Sequence, residues 1–388
     1  MLHCQKDAFS LEPDVHYLNC AYMSPLSKRV EAAGIEAFKR KRSPVNILPD
    51  DFFRGPARVK NLFARLIDAP DPAQVALFPS VSYGIASMAR NVRTTPGQNI
   101  VMLQEQFPSN VYTWMRLAEE RQCDVRTVRA PASPYRTTRA RDWNDAILAS
   151  IDSRTAAVAL PIVHWADGTL FDMPAIRQRT DEVGAALVID GTQSVGALPF
   201  SVSDIRPDAL IVAGYKWLFG PYSCSPGWVG PRFLDGIPLE ENWINRLGSE
   251  DFAGLVDYEP SYQPGAARFD VGEKSNFFLL PMLETALQQI LEWTPEGIQD
   301  YCARLMAPFE ERIRRAGYSL AEPGDRGRHL FGLRMPEKGS PESVRKALWD
   351  RHVSVSVRGS AIRIAPHVYN DEADVAALVD ALEAAQRS

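Results

Sequence analysis

The stretch ALIVAGYKWLFGP, residues 209–221, sets a lysine at the end of an apolar run that resumes at once with Trp217, Leu218 and Phe219. The chain has only nine lysines, and others stand in solvated settings such as FKRKRS at 38–43. Lys216 must therefore reach water past two aromatic rings or be held for chemistry.

Working outward, the run DALIVAGY (208–215) is the last of six of its kind. The others are AQVALFP (73–79), QNIVMLQ (98–104), CDVRTVRA (123–130), AAVALPIV (156–163) and GAALVID (184–190). Helix-like segments at 108–121, 142–151 and 174–184 lie between them. Near-continuous apolar strands alternating with helices predict an α/β fold whose largely parallel sheet is covered on both faces. A basic amphipathic helix is expected over 27–42, followed by a Pro-punctuated region. Two long helices follow at about 279–293 and 296–316. Strand 328–335, helix 341–351, strands 353–357 and 361–365, and helix 371–386 then read as a smaller C-terminal α+β unit. The organisation expected is an N-terminal segment at 1–45 packing on the active site and small domain, a large domain at 46–270, and connecting helices with a small domain at 271–388.

Composition narrows the function classes. At 388 residues, with 45% apolar and 23% charged side chains, the chain is an ordinary globular enzyme in make-up. A net charge of −5 with no basic stripe argues against nucleic acid as a partner. Five scattered cysteines without a CxxC pair disfavour a disulfide framework and a structural zinc site, so no metal is expected. The first residues lack a signal-peptide core, and no apolar window is long enough for a membrane span. A cytoplasmic location is the expectation.

In open α/β sheets, ligands sit beyond the carboxyl ends of the strands. Three such ends carry polar residues that a strand does not need. ALFPS runs into VSYGIAS, a helix start offering Ser80, Ser82 and free backbone N–H groups suited to a phosphate. ALVID ends in Asp190, and ALIVAGY leads to Lys216. Each has an ordinary explanation alone: an N-cap serine, a turn-opening aspartate, a snorkelling lysine. Together, a phosphate cradle, a carboxylate and a lysine at neighbouring strand ends are what pyridoxal phosphate requires.

VIDGTQSVGALPFSVSDIRPDALIVAGYKWLFGP (188–221) closely resembles the cofactor segment of class V aminotransferases, the branch holding cysteine desulfurases, kynureninases and isopenicillin N epimerases. YLNCAYMSPLS (17–27), FPSVSYGIAS (78–87), EQFPSNVYTW (105–114), ARFDVGEKSNF (267–277) and VSVRGSAIRIAPHVYN (355–370) extend the resemblance over nearly the whole chain. It implies a fold type I pyridoxal-phosphate transferase: a large domain with a mostly parallel seven-stranded sheet, plus the smaller C-terminal α+β domain. It also implies the residue roles. Lys216 is the Schiff-base lysine and Asp190 the partner of the pyridine nitrogen. Ser80, Val81 and Ser82 hold the phosphate, Phe107 stacks on the ring, Gln193 lies beside the phenolic oxygen, and Tyr215 contacts the phosphate. Gly272 and Glu273 begin a loop, GEKSN, that reaches the partner subunit's phosphate, with the charge of Lys274 also favouring an anion. Arg363 grips the substrate carboxylate, while His164, Trp165, Tyr22 and Asn19 line the substrate pocket.

Some of these residues have competing readings. Phe107 also suits the core at a strand end, His164 suits a hydrogen-bonded structural role equally well, and Lys274 suits a solvated loop. VRGSAIRIA leads from Arg358 to Arg363 without the cysteine-bearing loop of desulfurases, which disfavours persulfide chemistry. The implied function is action at the α-carbon of a small amino acid, as an aminotransferase or a β-eliminating C–S lyase, by a homodimer with shared sites. Epimerisation and kynureninase-like hydrolysis are the alternatives. A pyridoxal-phosphate-binding regulator is disfavoured, because no helix-turn-helix region is appended.

Overall fold

The computed structural model of the chain describes residues 1–131, 138–336, 339–358 and 361–387. Its centre is a seven-stranded sheet ordered Val75–Phe78, Ser225–Val229, Ala209–Ile211, Ala186–Asp190, Thr155–Pro161, Asn99–Leu103, Asp124–Val128. Ser225–Val229 runs antiparallel to the other six strands. The six apolar runs all become strands. The seventh, SPGWV, carries a proline and a glycine that hide it from a propensity reading.

The strands are apolar throughout because both faces are covered. Ala76, Phe78, Ile100, Met102, Val188 and Ile211 pack under helices Val81–Asn91 and Tyr112–Arg121. Their alternating neighbours Val75, Leu77, Val101, Leu103, Leu187, Ile189 and Leu210 face a larger core with helices Asp51–Leu66, Arg139–Ser150, Met173–Val183 and Leu279–Trp293. A second, antiparallel sheet of Ser356–Arg358, Ala361–Ile364, Phe331–Arg334 and Ser319–Leu320 follows helix Pro295–Arg315. Helices Pro341–Trp349 and Glu372–Ala385 pack on each other beside it.

The N-terminal segment joins these two parts. His16–Tyr17 adds in parallel to Val353–Ser354, and Leu18 and Cys20 exchange backbone hydrogen bonds with Ala365. A few residues later, the Ser24 N–H donates to the Tyr215 carbonyl at 3.1 Å. This segment therefore runs from the small sheet to the turn that holds Lys216.

The Pro-punctuated region after the first helix contains the helix Asp51–Leu66, with Pro56 inside it. Proline removes the N–H that would serve the carbonyl of Phe52. Here the Ser275 hydroxyl donates to that carbonyl instead. The helix survives because its buried stripe Val59, Phe63, Ala64, Leu66 seals the sheet. Ser275→Ala should therefore cost about 1 kcal/mol in denaturant unfolding. In the Pro56→Ala background, which restores an N–H, the same change should cost clearly less. Equal losses in both backgrounds would show that the hydroxyl does not replace the missing donor.

Candidate active site

Asp190 is the last residue of its strand and is 7% exposed. Its Oδ1 accepts the Thr192 N–H at 3.0 Å, and Thr192 Oγ1 in turn accepts from the Ala213 N–H at 3.2 Å. The carboxylate makes no ion pair with any described residue. Burial lifts its pKa above the usual carboxylate range, against pulls from Thr192 and Lys216.

Lys216 is not at the strand end itself. The strand closes at Ile211, and the lysine stands in the turn beyond it. That turn is clamped: the Gly214 N–H donates to the Cys224 carbonyl at 2.9 Å, and the Gly220 N–H to the Gly214 carbonyl at 2.8 Å. A Cβ on Gly214 would lie 2.1 Å from the Cys224 oxygen. Phe219 and Ser223 take left-handed φ values of 53° and 65°, uncommon for residues other than glycine. Trp217, Leu218 and Phe219 are fully buried, so the resumed apolar run is the anchor that lets Lys216 turn the other way. Its Nζ lies 5.4 Å from the Phe107 ring centroid and 5.6 Å from that of Tyr215. Burial first, then the charge of Arg363, push the ammonium down to about 8, against a counter-pull from Asp190.

These residues open into one cavity of about 170 Å³. Ser80, Val81 and Ser82 stand at one end, where the Ser80 hydroxyl caps the Tyr83 N–H at 3.1 Å and contacts Ser82 Oγ at 3.0 Å. Val81 and Ser82 begin the helix, so their N–H groups have no intrahelical partner. Asp190, Lys216, Phe107, Gln193, Tyr215 and Trp165 supply the rest of the predicted lining. Sequence reasoning missed Thr192, Tyr222, Ser223 and Ser225, which also line it. Thr192 had a signal, since a short polar residue two after an aspartate favours a side-chain-capped turn. The other three depend on the fold of the turn after Lys216.

Other predicted residues are placed differently. Gln193 is spoken for: Nε2 donates to the Ala21 carbonyl at 3.2 Å, and Oε1 accepts from Trp217 Nε1 at 2.8 Å. His164 is fully buried and does not line the cavity. Its Nδ1 meets Asp167 at 3.0 Å and its Nε2 the Glu105 carbonyl at 3.1 Å, which is the structural arrangement. Lys274 is neither solvated nor free for an anion, because it is 5% exposed with Nζ 3.1 Å from Asp270. The Gly272 N–H donates to Glu240, and neither Gly272 nor Glu273 lines the cavity of this chain. Asn19 is buried, accepting from Ser356 Oγ at 2.9 Å, whereas Tyr22 is exposed. Neither is among the cavity-lining residues. Gly359 and Ser360, in the short connection before Arg363, lie outside the described residues.

Arg363 is 2% exposed. Its Nη1 donates to the Trp165 carbonyl at 3.0 Å and its Nη2 to Ser356 Oγ at 3.4 Å, while Nε has no partner. No carboxylate among the described residues pairs with it. Burial, then the charge of Arg358, lower its pKa to about 10. The set thus offers donors for a phosphate, a carboxylate for a protonated ring nitrogen, an amine, and a guanidinium for an acid. No group of three or more His, Cys, Asp or Glu among the described residues could hold a metal.

The depressed lysine gives a test in cofactor-free protein. A lysine amine reacts only when deprotonated, so capture of an aldehyde by Lys216 should speed up about tenfold per pH unit below about 8 and level off above it. Continued acceleration towards pH 10, followed by peptide mapping of the reduced adduct, would show an ordinary solvated amine. Gly214→Ala should displace the turn and abolish this selective capture even where circular dichroism shows a folded chain.

Residues 46–224 match the family model described as aminotransferase class-V. An uncharacterized aminotransferase, YcbU, of Bacillus subtilis (strain 168) is 24% identical over 84% of this chain and 82% of its own length. Isopenicillin N epimerase of Streptomyces clavuligerus is 25% identical over 96% of both chains. The cysteine desulfurase CsdA of Escherichia coli superposes with a TM-score of 0.82, at 17% identity, over 98% of this chain and 97% of its own. The matched residues 46–224 include Asp190, Lys216, Phe107 and the Ser80–Ser82 turn, so the part of the chain that carries these residues is similar to the aminotransferase class-V family.

Proposed function

We propose that this chain is a pyridoxal-phosphate enzyme acting at the α-carbon of a small amino acid, as an aminotransferase or a β-eliminating C–S lyase. The observation that carries the reading is a buried carboxylate without a cation, Asp190, opening into the same cavity as the buried amine of Lys216. A protonated ring nitrogen supplies the charge that Asp190 lacks, and the uncapped N–H groups of Val81 and Ser82 suit a phosphate. These residues fit the group.

When bound, pyridoxal phosphate supplies an aldehyde for the substrate amine and a ring that accepts the electron pair left at the α-carbon. The chain's own residues do the rest. Asp190 keeps the ring nitrogen protonated, and Thr192 fixes the carboxylate for that task. Phe107 covers one face of the cavity. Arg363 takes the substrate carboxylate, which gives its unpaired, buried guanidinium an anion. Lys216 Nζ removes the α-proton, its lowered pKa providing a free amine near neutral pH. Which atom then receives that proton separates the possible products. The cysteines fit no sulfur-transfer role, since Cys20, Cys224 and Cys302 are buried with their thiols pushed up by burial, and neither Cys4 nor Cys123 lines the cavity. Epimerisation is the second reading, favoured by the likeness to isopenicillin N epimerase over nearly the whole chain.

A homodimer with shared sites belongs to the same reading. Trp243, Leu247, Val256 and Tyr258 are exposed on the segment preceding the loop at 272–276, and a second copy would cover them. Five free cysteines suit a reducing cytoplasm. Among the described residues no helix is long and apolar enough to cross a membrane.

The protein should take up pyridoxal phosphate and absorb in the near-visible, with borohydride fixing the label on Lys216. Lys216→Ala should keep cofactor uptake but lose about 10²–10⁴-fold in turnover. A panel of amino acids, screened by spectral change and then analysed for keto acid, ammonia or inverted enantiomer, separates the three reactions. A protein that takes up no cofactor, or a variant with normal turnover, would sink the reading. For the assembly, sedimentation should give a dimer that the cofactor stabilises. A fully active monomer at micromolar concentration would refute shared sites.

A further inference from the structure

Arg363 does not itself line the cavity, but it reaches the cavity wall at Trp165, and a second guanidinium, Arg358, does the same. Strand Ser356–Arg358 pairs antiparallel with Ala361–Ile364, setting Ser356 opposite Arg363 and Arg358 opposite Ala361. Ser356 Oγ accepts from Arg363 Nη2, so the two side chains lie on one face of the sheet. Side chains alternate along a strand, so Arg358, two residues after Ser356, lies on that face too. It is the diagonal neighbour of Arg363, at the roughly 7–8 Å of such pairs.

Both arginines meet the same wall of the cavity. Arg363 donates to the Trp165 carbonyl, and Arg358 Cζ stands 5.7 Å from the Trp165 ring centroid. Trp165 lines the cavity and stands edge-on to Phe107 at 5.4 Å. The field of both reaches the reacting amine, since each pushes Lys216 down, and Arg358 also pushes Arg363 down. Two like charges on adjacent strands repel, and no carboxylate among the described residues pairs with either. Among the described residues, Arg358's side chain meets the Trp165 ring and donates to the neighbouring Val357 carbonyl. The one acidic group lining the cavity is Asp190, already needed at its floor. The Ser80–Ser82 end uses hydroxyls and backbone N–H groups, so a phosphate there does not draw on these arginines.

A neutral amino acid brings one carboxylate, which satisfies Arg363 and leaves Arg358 uncompensated. We propose that the substrate carries a second oxyanion on a short side chain, as aspartate and glutamate do, with Arg363 taking the α-carboxylate and Arg358 the side-chain acid. This rests on the function proposed above and narrows its substrate class. Arg358 is then the residue that sets specificity, and Trp165 is the flat wall that both guanidinium groups share.

The test uses the holoprotein and acids without an amine, so that binding is read without turnover. Calorimetric titration with succinate and glutarate, each carrying two carboxylates, is compared with butyrate, which carries one. The diacid that spans the pair should bind about 10–100-fold tighter than butyrate, the range for one added charge-assisted hydrogen bond. Arg358→Gln should erase that preference, bringing the diacid to the affinity of butyrate, and Arg358→Lys should recover part of it. Equal binding of mono- and diacids, or a loss in Arg358→Gln shared equally by all three, would overturn the inference while leaving the pyridoxal-phosphate reading intact. Failure to form a holoprotein would instead overturn both.

Discussion

The site depends on keeping one ammonium group out of water at the edge of a sheet. Burial opposes the charge on Lys216, so the chain must hold the side chain there by force of packing. It does so with the turn after Ile211, closed on itself through Gly214, Cys224 and Gly220. Trp217, Leu218 and Phe219 sink into the core beneath, and the two left-handed residues Phe219 and Ser223 bend the backbone back to the cavity. Backbone in a disfavoured region persists only where its surroundings fix it. The anchor and the buried reach of the lysine into the cavity are therefore one device.

Buried charges elsewhere in the molecule are balanced, which sets the site apart. Burial works against the Asp167 carboxylate, yet His164, Arg139 and Thr169 hold its pKa well below the usual range. Asp270 receives both Lys60 and Lys274 on one oxygen and the Leu77 N–H on the other. Asp190 and Arg363 have no such counter-ions among the described residues. A buried charge left without a partner is costly, and proteins tolerate it where a ligand completes the set. The distinction between structural and functional polar groups lies in that balance, more than in residue type.

Most of the fold was legible from apolar runs alternating with helices, because a sheet covered on both faces leaves little polar signal to confuse the pattern. The helix Asp51–Leu66 was not, since Pro56 normally breaks a helix and its compensating donor, Ser275, is distant in sequence. At the site, Asp190, Lys216 and the Ser80–Ser82 turn could be read because each stands at a strand's end or in the turn beyond it. His164 and Lys274 could not be assigned from type alone: their partners Asp167 and Asp270 stand only three and four residues away, but whether the side chains meet depends on the local backbone of each loop. Arg358 carried no motif of its own. Its meaning comes from cross-strand register, which a sequence does not display.

The segment from His16 to Ser24 has a further consequence. At one end it is a strand of the unit that carries Arg363. At the other, Ala21 and Ser24 receive and give hydrogen bonds at Gln193 and Tyr215, beside Asp190 and Lys216. The two halves of the site are thus tied by a single length of backbone from near the start of the chain. This segment acts as a tie-rod across the cleft, so any motion of the small sheet must carry the floor of the cavity with it or break those bonds.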